Sequence, residues 1–135
     1  MNFSKLSVIG FTFISFLAIV FQLALALGVP WGEYAMGGTY PGQFPPEMRI
    51  AAVVQALIIA LMISIVLARS GFAVNRIYDF SKKAIWFVVI YCAIGLFLNM
   101  ITPSEKERLI WAPILLLNFI FSLRVALIPD RITQT

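Results

Sequence analysis

The chain has 135 residues, 61% hydrophobic and 14% aromatic, with ten Lys+Arg against six Asp+Glu. Its 12% charged share is about half that of a soluble domain, and its apolar content far exceeds that of a disordered chain, so both classes are excluded. A single cysteine, Cys92, and no histidine rule out an intramolecular disulfide framework and a Cys-x-x-Cys redox pair, and remove the commonest zinc ligand and general base.

The charged side chains leave four apolar gaps, 6–32, 50–68, 84–104 and 109–123. A helix needs about 20 apolar residues to cross a hydrocarbon core of ~30 Å, and the first three gaps supply them. The fourth does so when Arg124 extends its guanidinium toward the headgroups, as long cationic side chains near helix ends do. The spacing therefore predicts helices over about 6–28, 49–69, 84–102 and 106–128 within one domain, 1–135. The fold class is all-α, an antiparallel four-helix transmembrane bundle.

Taken in chain order, the first apolar run follows Lys5 and contains Ala24-Leu25-Ala26, the outline of a secretory signal. Its core from Leu6 to Leu23 spans 18 residues, longer than the roughly 7–15 of a signal peptide, so it is read as a retained span. Gly28 and Pro30 stop it. The loop 29–48 that follows is rich in Gly and Pro. Gly37-Gly38, between Tyr34-Ala35-Met36 and Thr39-Tyr40, reads as a two-residue hairpin turn, and Pro41-Gly42 as a second turn. Trp31, Tyr34, Tyr40 and Phe44 suit the headgroup level. Such a loop is either a cap that closes the bundle or a lid whose glycines let backbone groups approach a ligand.

Pro45-Pro46-Glu47 opens the second helix, with proline in its first turn and an acid at the positive end of its dipole. Ala52, Ala56 and Ala60 mark a small-residue stripe for close helix packing. On the third helix Cys92, Gly95 and Asn99 share a face, and Cys92 is expected to be an inert buried thiol. Ser104-x-x-Glu107 fits a capping box at the head of the fourth helix. Pro113 is expected to bend that helix, and Pro129 closes it.

Orientation follows from the cations. With both ends in the cytoplasm, the inner side holds Lys5, Arg69, Arg76, Lys82, Lys83, Arg124 and Arg131, and the outer side only Arg49, Lys106 and Arg108. The positive-inside rule favours this arrangement. The net charge of +4 then reflects topology; no basic cluster interleaved with aromatics points to nucleic acid.

Polar residues within the spans are the candidate site. At 1.5 Å per residue, Gln22 and Gln55 lie ~9 Å and Asn99 ~5 Å below the outer surface. Asn118 is deeper, with Ser122 one turn along. They serve either as interhelical hydrogen-bonding groups or as the lining of a polar vestibule open to the outside. Of the outer acids, Glu33 and Glu47 flank the loop while Glu105 and Glu107 open the fourth helix. Each has a capping or pairing role, so no metal site, no cofactor and no catalytic residue is assigned.

Two segments look familiar. Gly28-Val29-Pro30-Trp31-Gly32-Glu33-Tyr34-Ala35-Met36-Gly37-Gly38, followed by Pro41-Gly42, Phe44-Pro45 and Arg49, resembles the first loop of a family of small four-helix bacterial membrane proteins. The stretch from Asn99 to Pro113, with Ser104, Glu107 and Arg108, is similar to that family's second signature. The resemblance implies a four-pass protein of the bacterial plasma membrane and brings no activity, cofactor or catalytic residue. Both signatures fall on the expected outer side, where Glu33, Arg49, Glu107 and Arg108 are placed to form one ion-paired belt.

The expected function is accordingly non-enzymatic: binding of a partner, lipid or small ligand at the outer face through Trp31, Glu33, Gly37, Gly38, Arg49, Gln22, Gln55, Asn99, Glu107 and Arg108. The lipid bilayer is the expected surrounding. A membrane protein partner or further copies of the chain remain open as associates. Two alternatives stand beside it, a small transporter or channel subunit and a membrane enzyme acting on a lipid-linked substrate.

Overall fold

A computed structural model of the chain describes residues 2–130; Arg131, counted above among the inner cations, lies outside them. Among the described residues four α-helices form the bundle: α1 (Phe3–Ala26), α2 (Pro46–Ser70), α3 (Tyr78–Ile101) and α4 (Glu105–Ala126). Each is long and apolar enough to cross a membrane, and among the described residues there is no strand. The chain is a small multi-pass membrane protein built as a four-helix bundle. In order around the bundle run α1, α2, α3 and α4, with α4 closing back on α1. One end carries the long α1–α2 connection and the α3–α4 turn (the loop end). The other carries the start of α1, the α2–α3 connection and the end of α4 (the terminal end).

The helix boundaries have local causes. The Asn2 side chain accepts a hydrogen bond from the Lys5 N–H at 2.8 Å and caps α1. Past its last turn Gly28 takes φ +95°, a left-handed conformation that glycine adopts without steric cost. Pro46 stands at the first position of α2, and Gly71, left-handed at φ +78°, ends it. α3 begins six residues earlier than the charge spacing implies, at Tyr78. Asp79, Lys82 and Lys83 occupy its first turns, because a helix need not stop where the hydrocarbon does. α4 runs unbroken through Pro113.

Packing divides along the bundle. The terminal half holds a continuous core in which Phe11, Ile65, Val66, Ile85, Val88 and Val125 are essentially inaccessible. Gly10 sits where a Cβ would come within 2.5 Å of the Phe121 ring, so α1 and α4 touch closely there. In lipid such van der Waals fit, rather than expulsion of water, holds helices together. Arg69 is buried at the end of α2, donates to the Ile128 carbonyl and pairs with Asp130 at 3.1 Å, tying α2 to the segment after α4. A second, smaller core of Leu25, Phe44 and Ala52 lies under the loop. Of the alanine stripe, Ala52 and Ala56 are buried, whereas Ala60 is exposed on the outside of the bundle: the face of α2 that packs rotates away before the stripe ends. Phe13, Phe16, Leu57, Phe97 and Leu109 also face outward, as the lipid-facing surface of a membrane bundle requires.

Candidate functional site

Between the two cores the bundle is not filled. A cavity of about 780 Å³ lies there, bordered by all four helices and the loop. Its floor is Ile59, Met62 and Cys92 of the terminal core, and Met36, Gly37 and Phe44 of the loop border its other end. Several of its lining residues on α2 and α3 are exposed. These helices are bridged where the Tyr91 hydroxyl donates to Gln55 Oε1 at 2.7 Å. On the loop side of that bridge Ala51 on α2 and Ile94, Leu98 and Ile101 on α3 border the cavity and are exposed, as is Met36 of the loop.

Of the residues singled out from sequence, Gln22, Gln55, Asn99, Asn118, Glu107 and Gly37 border this one space, whereas Trp31, Glu33, Gly38, Arg49, Arg108 and Ser122 do not. The polar side chains use their hydrogen-bonding capacity differently. Gln55 bridges to α3 through Tyr91, and the Asn118 amide donates to Ser15 Oγ on α1 at 3.2 Å. Asn99 turns back to the Gly95 carbonyl of its own helix, while Gln22 has no hydrogen bond among the described residues. The side-chain oxygens of Asn99 and Asn118 are buried without a partner, a costly state for an amide carbonyl. Ser122, expected to act with Asn118, bonds instead to the Phe119 carbonyl within α4.

The loop is a clamped cap. Tyr34–Tyr40 forms no hairpin. It is wound into two consecutive 3₁₀ turns, Gly32–Tyr34 and Met36–Gly38, with Gly37 and Gly38 left-handed at φ +68° and +75°. A hairpin needs a paired strand on each side, and here the backbone is bonded to the head of α4 instead. Ser104 Oγ donates to the Glu33 carbonyl at 2.9 Å, Trp111 Nε1 to the Tyr34 carbonyl at 2.9 Å, and the Gly37 N–H to Glu107 Oε2 at 2.9 Å. Trp31 stacks on Phe21 with ring centroids 6.2 Å apart. The Gly32 N–H closes the loop on the Gly42 carbonyl at 2.9 Å.

Glu107 is central to this closure. Ser104 Oγ accepts from the Glu107 N–H at 3.2 Å, which is half of a capping box. The other half is missing: the Glu107 carboxylate does not return to the Ser104 N–H but accepts from Gly37 and from Thr102 Oγ1, at 2.9 Å each. The expected belt of Glu33, Arg49, Glu107 and Arg108 does not form. Glu33 pairs with Lys106 at 3.2 Å. Arg49 donates to the Phe44 carbonyl at 2.8 Å and Arg108 to the Thr102 carbonyl at 3.2 Å, where chain reversals leave carbonyls free. Sequence reasoning missed Tyr91 and Trp111; it offered Lys106 only as one of three possible partners for the outer acids, and Thr102 only as a cap, not as a donor to the Glu107 carboxylate. For Trp111 a signal existed: it lies one turn after Glu107, hence on the same helix face.

For chemistry, Glu107 is the sole charged residue bordering the cavity among the described residues. Glu33 is engaged with Lys106 and does not border it, so among the described residues no second carboxylate lines the cavity for paired acid–base work. Among the described residues no three His, Cys, Asp or Glu side chains cluster to hold a metal. Comparison with known family models, with curated proteins and with solved structures finds no match.

Proposed function

We propose that this protein is a plasma-membrane binding protein that takes up an amphiphilic small molecule, a lipid or lipid-like ligand, in its intramembrane cavity. The observation that carries this reading is the cavity itself. Its volume, about 780 Å³, falls in the range of small-molecule sites, which are apolar with a few placed polar groups. The exposed residues along its α2–α3 edge, Ala51, Ile94, Leu98 and Ile101, are all apolar. A ligand arriving from the bilayer would cross them without meeting a charge. In the orientation favoured by the cations, with both termini cytoplasmic, the loop faces outward and the cavity belongs to the outer leaflet.

Binding is favoured over conduction because the cavity is blind. The packed core from Ile59 and Met62 to Val125 closes the terminal half of the bundle, and among the described residues no acidic or basic side chain borders the cavity at mid-depth, as proton- or ion-coupled transport would need. Native mass spectrometry of the full chain after mild extraction is the test. Retained adducts of lipid mass, lost when Leu98→Trp and Ala51→Trp block the α2–α3 edge, are the expected result. A chain that flies free of any adduct under conditions preserving its fold would refute the reading.

A further inference from the structure

Among the described residues one charged side chain borders the cavity, and an aromatic side chain borders it one turn along the same helix. Glu107 is about nine-tenths buried and borders the cavity. Its Oε2 is taken by Gly37 and Thr102. Its other oxygen has no hydrogen bond, and no cation among the described residues pairs with the group. An acid buried without a counter-charge is costly in a protein interior. The neighbouring cations are committed elsewhere: Lys106 to Glu33, Arg108 and Arg49 to backbone carbonyls. Trp111, one turn along α4, borders the same space together with Phe21 and Tyr34. Phe21 meets Trp111 edge-on with ring centroids 4.9 Å apart. Four acids against three bases at the loop end (Glu33, Glu47, Glu105 and Glu107; Arg49, Lys106 and Arg108) add a field of the same sign.

A buried carboxylate beside indole and phenyl rings is the environment that an ammonium group prefers, by Coulomb attraction and by cation–π contact. Resting on the cavity reading above, we infer that the ligand is an amphiphile with a cationic amine headgroup, its ammonium held by Glu107 against Trp111 and Phe21 and its apolar chain directed toward Ile59, Met62 and Leu115. The ammonium would supply the donor that the free Glu107 oxygen lacks. The apolar floor would reject a second charge at the far end of the chain.

The test uses the full chain in a neutral maltoside detergent and three probes that share one tail: dodecylamine, monolaurin and laurate. Native mass spectrometry reads the bound fraction of each. Dodecylamine is expected to bind roughly tenfold more tightly than the other two. Glu107→Gln, which keeps an oxygen acceptor for Gly37 and Thr102, is expected to erase that preference while monolaurin binding persists. Equal binding of all three to the unaltered chain overturns the headgroup assignment and leaves the cavity reading standing. Binding of none overturns both. Should Glu107→Gln fail to fold, the rank order in the unaltered chain decides alone. A parallel extraction from nanodiscs of equal phosphatidylethanolamine and phosphatidylglycerol separates the sources. Enrichment of the amine lipid among retained adducts assigns the ligand to the bilayer, and its absence alongside dodecylamine binding assigns it to single-chain amines.

Discussion

Gly32 is the tightest point of the loop, and replacing it with alanine tests whether the cap is built as described. A Cβ at this position would lie 1.8 Å from the Tyr40 carbonyl oxygen and 2.7 Å from that of Gly42. Both are backbone atoms, so no side-chain rotation relieves the overlap, and the chain must retreat by on the order of 1 Å to reach van der Waals contact. The retreat breaks the Gly32–Gly42 bond of 2.9 Å. Leaving those groups buried and unpaired costs about 1–3 kcal/mol. It also pulls on the neighbouring Glu33 and Tyr34 carbonyls, which Ser104 and Trp111 hold. The sum is a destabilisation of about 3 kcal/mol. Gly42→Ala is the matched control. Gly42 has φ +82° but nothing within 4 Å of a new Cβ, so it carries only the left-handed backbone strain of about 1–2 kcal/mol. Reversible unfolding by dodecyl sulfate titration in mild detergent compares the two. A Gly32→Ala variant within about 0.5 kcal/mol of Gly42→Ala would refute the closed-loop geometry, because the overlap would then have been absorbed without cost.

Other outcomes follow from the same geometry. Glu107→Ala removes the acceptor of the Gly37 N–H, and hydrogen–deuterium exchange over 32–44 should accelerate while the terminal core stays protected; an unchanged loop would refute the latch. Tyr91→Phe loses one interhelical bond to Gln55 and should cost about 0.6 kcal/mol, at most ~1.7, read by the same titration. Lys106→Ala removes an exposed pair and should leave the unfolding midpoint unchanged at high salt; a clear shift would mean that Glu33 and Lys106 hold the loop. In a Cys92→Ser background, an impermeant thiol reagent applied to intact cells should label Thr39→Cys and spare Arg76→Cys; the reverse pattern would invert the proposed orientation.

Much of the fold was legible because lipid is an unforgiving solvent for charge. Four spans could be read from the placement of ionised side chains alone, since a charge at mid-membrane is expensive. The same rule misplaced the start of α3. Asp79, Lys82 and Lys83 mark where the hydrocarbon begins, while helical hydrogen bonding carries on beyond it. The gathering of Gln22, Gln55, Asn99 and Asn118 around one space followed from their depth and from the tendency of polar groups to turn inward. What each bonds to did not. Asn99 and Ser122 found carbonyls one turn back in their own helices, a competition that spacing does not resolve. The ion-paired belt failed for a related reason: Arg49 and Arg108 sit beside chain reversals whose free carbonyls are closer than any carboxylate. Tyr91 looked like one more aromatic in an apolar helix, and only the approach of α2 gives its hydroxyl a purpose.

The clamp on the loop has a bearing on how the molecule is made. The bonds from Ser104, Glu107 and Trp111 reach partners seventy or more residues earlier in the chain. During synthesis, the first two spans and their connection emerge long before α4 exists to receive them. The glycine-rich segment must wait, undocked, until the last helix is inserted, so sealing of the bundle's head is a late event. A ribosome-stalled or truncated product ending before residue 104 would carry three spans and an open mouth, making a ready substrate for membrane quality-control proteases.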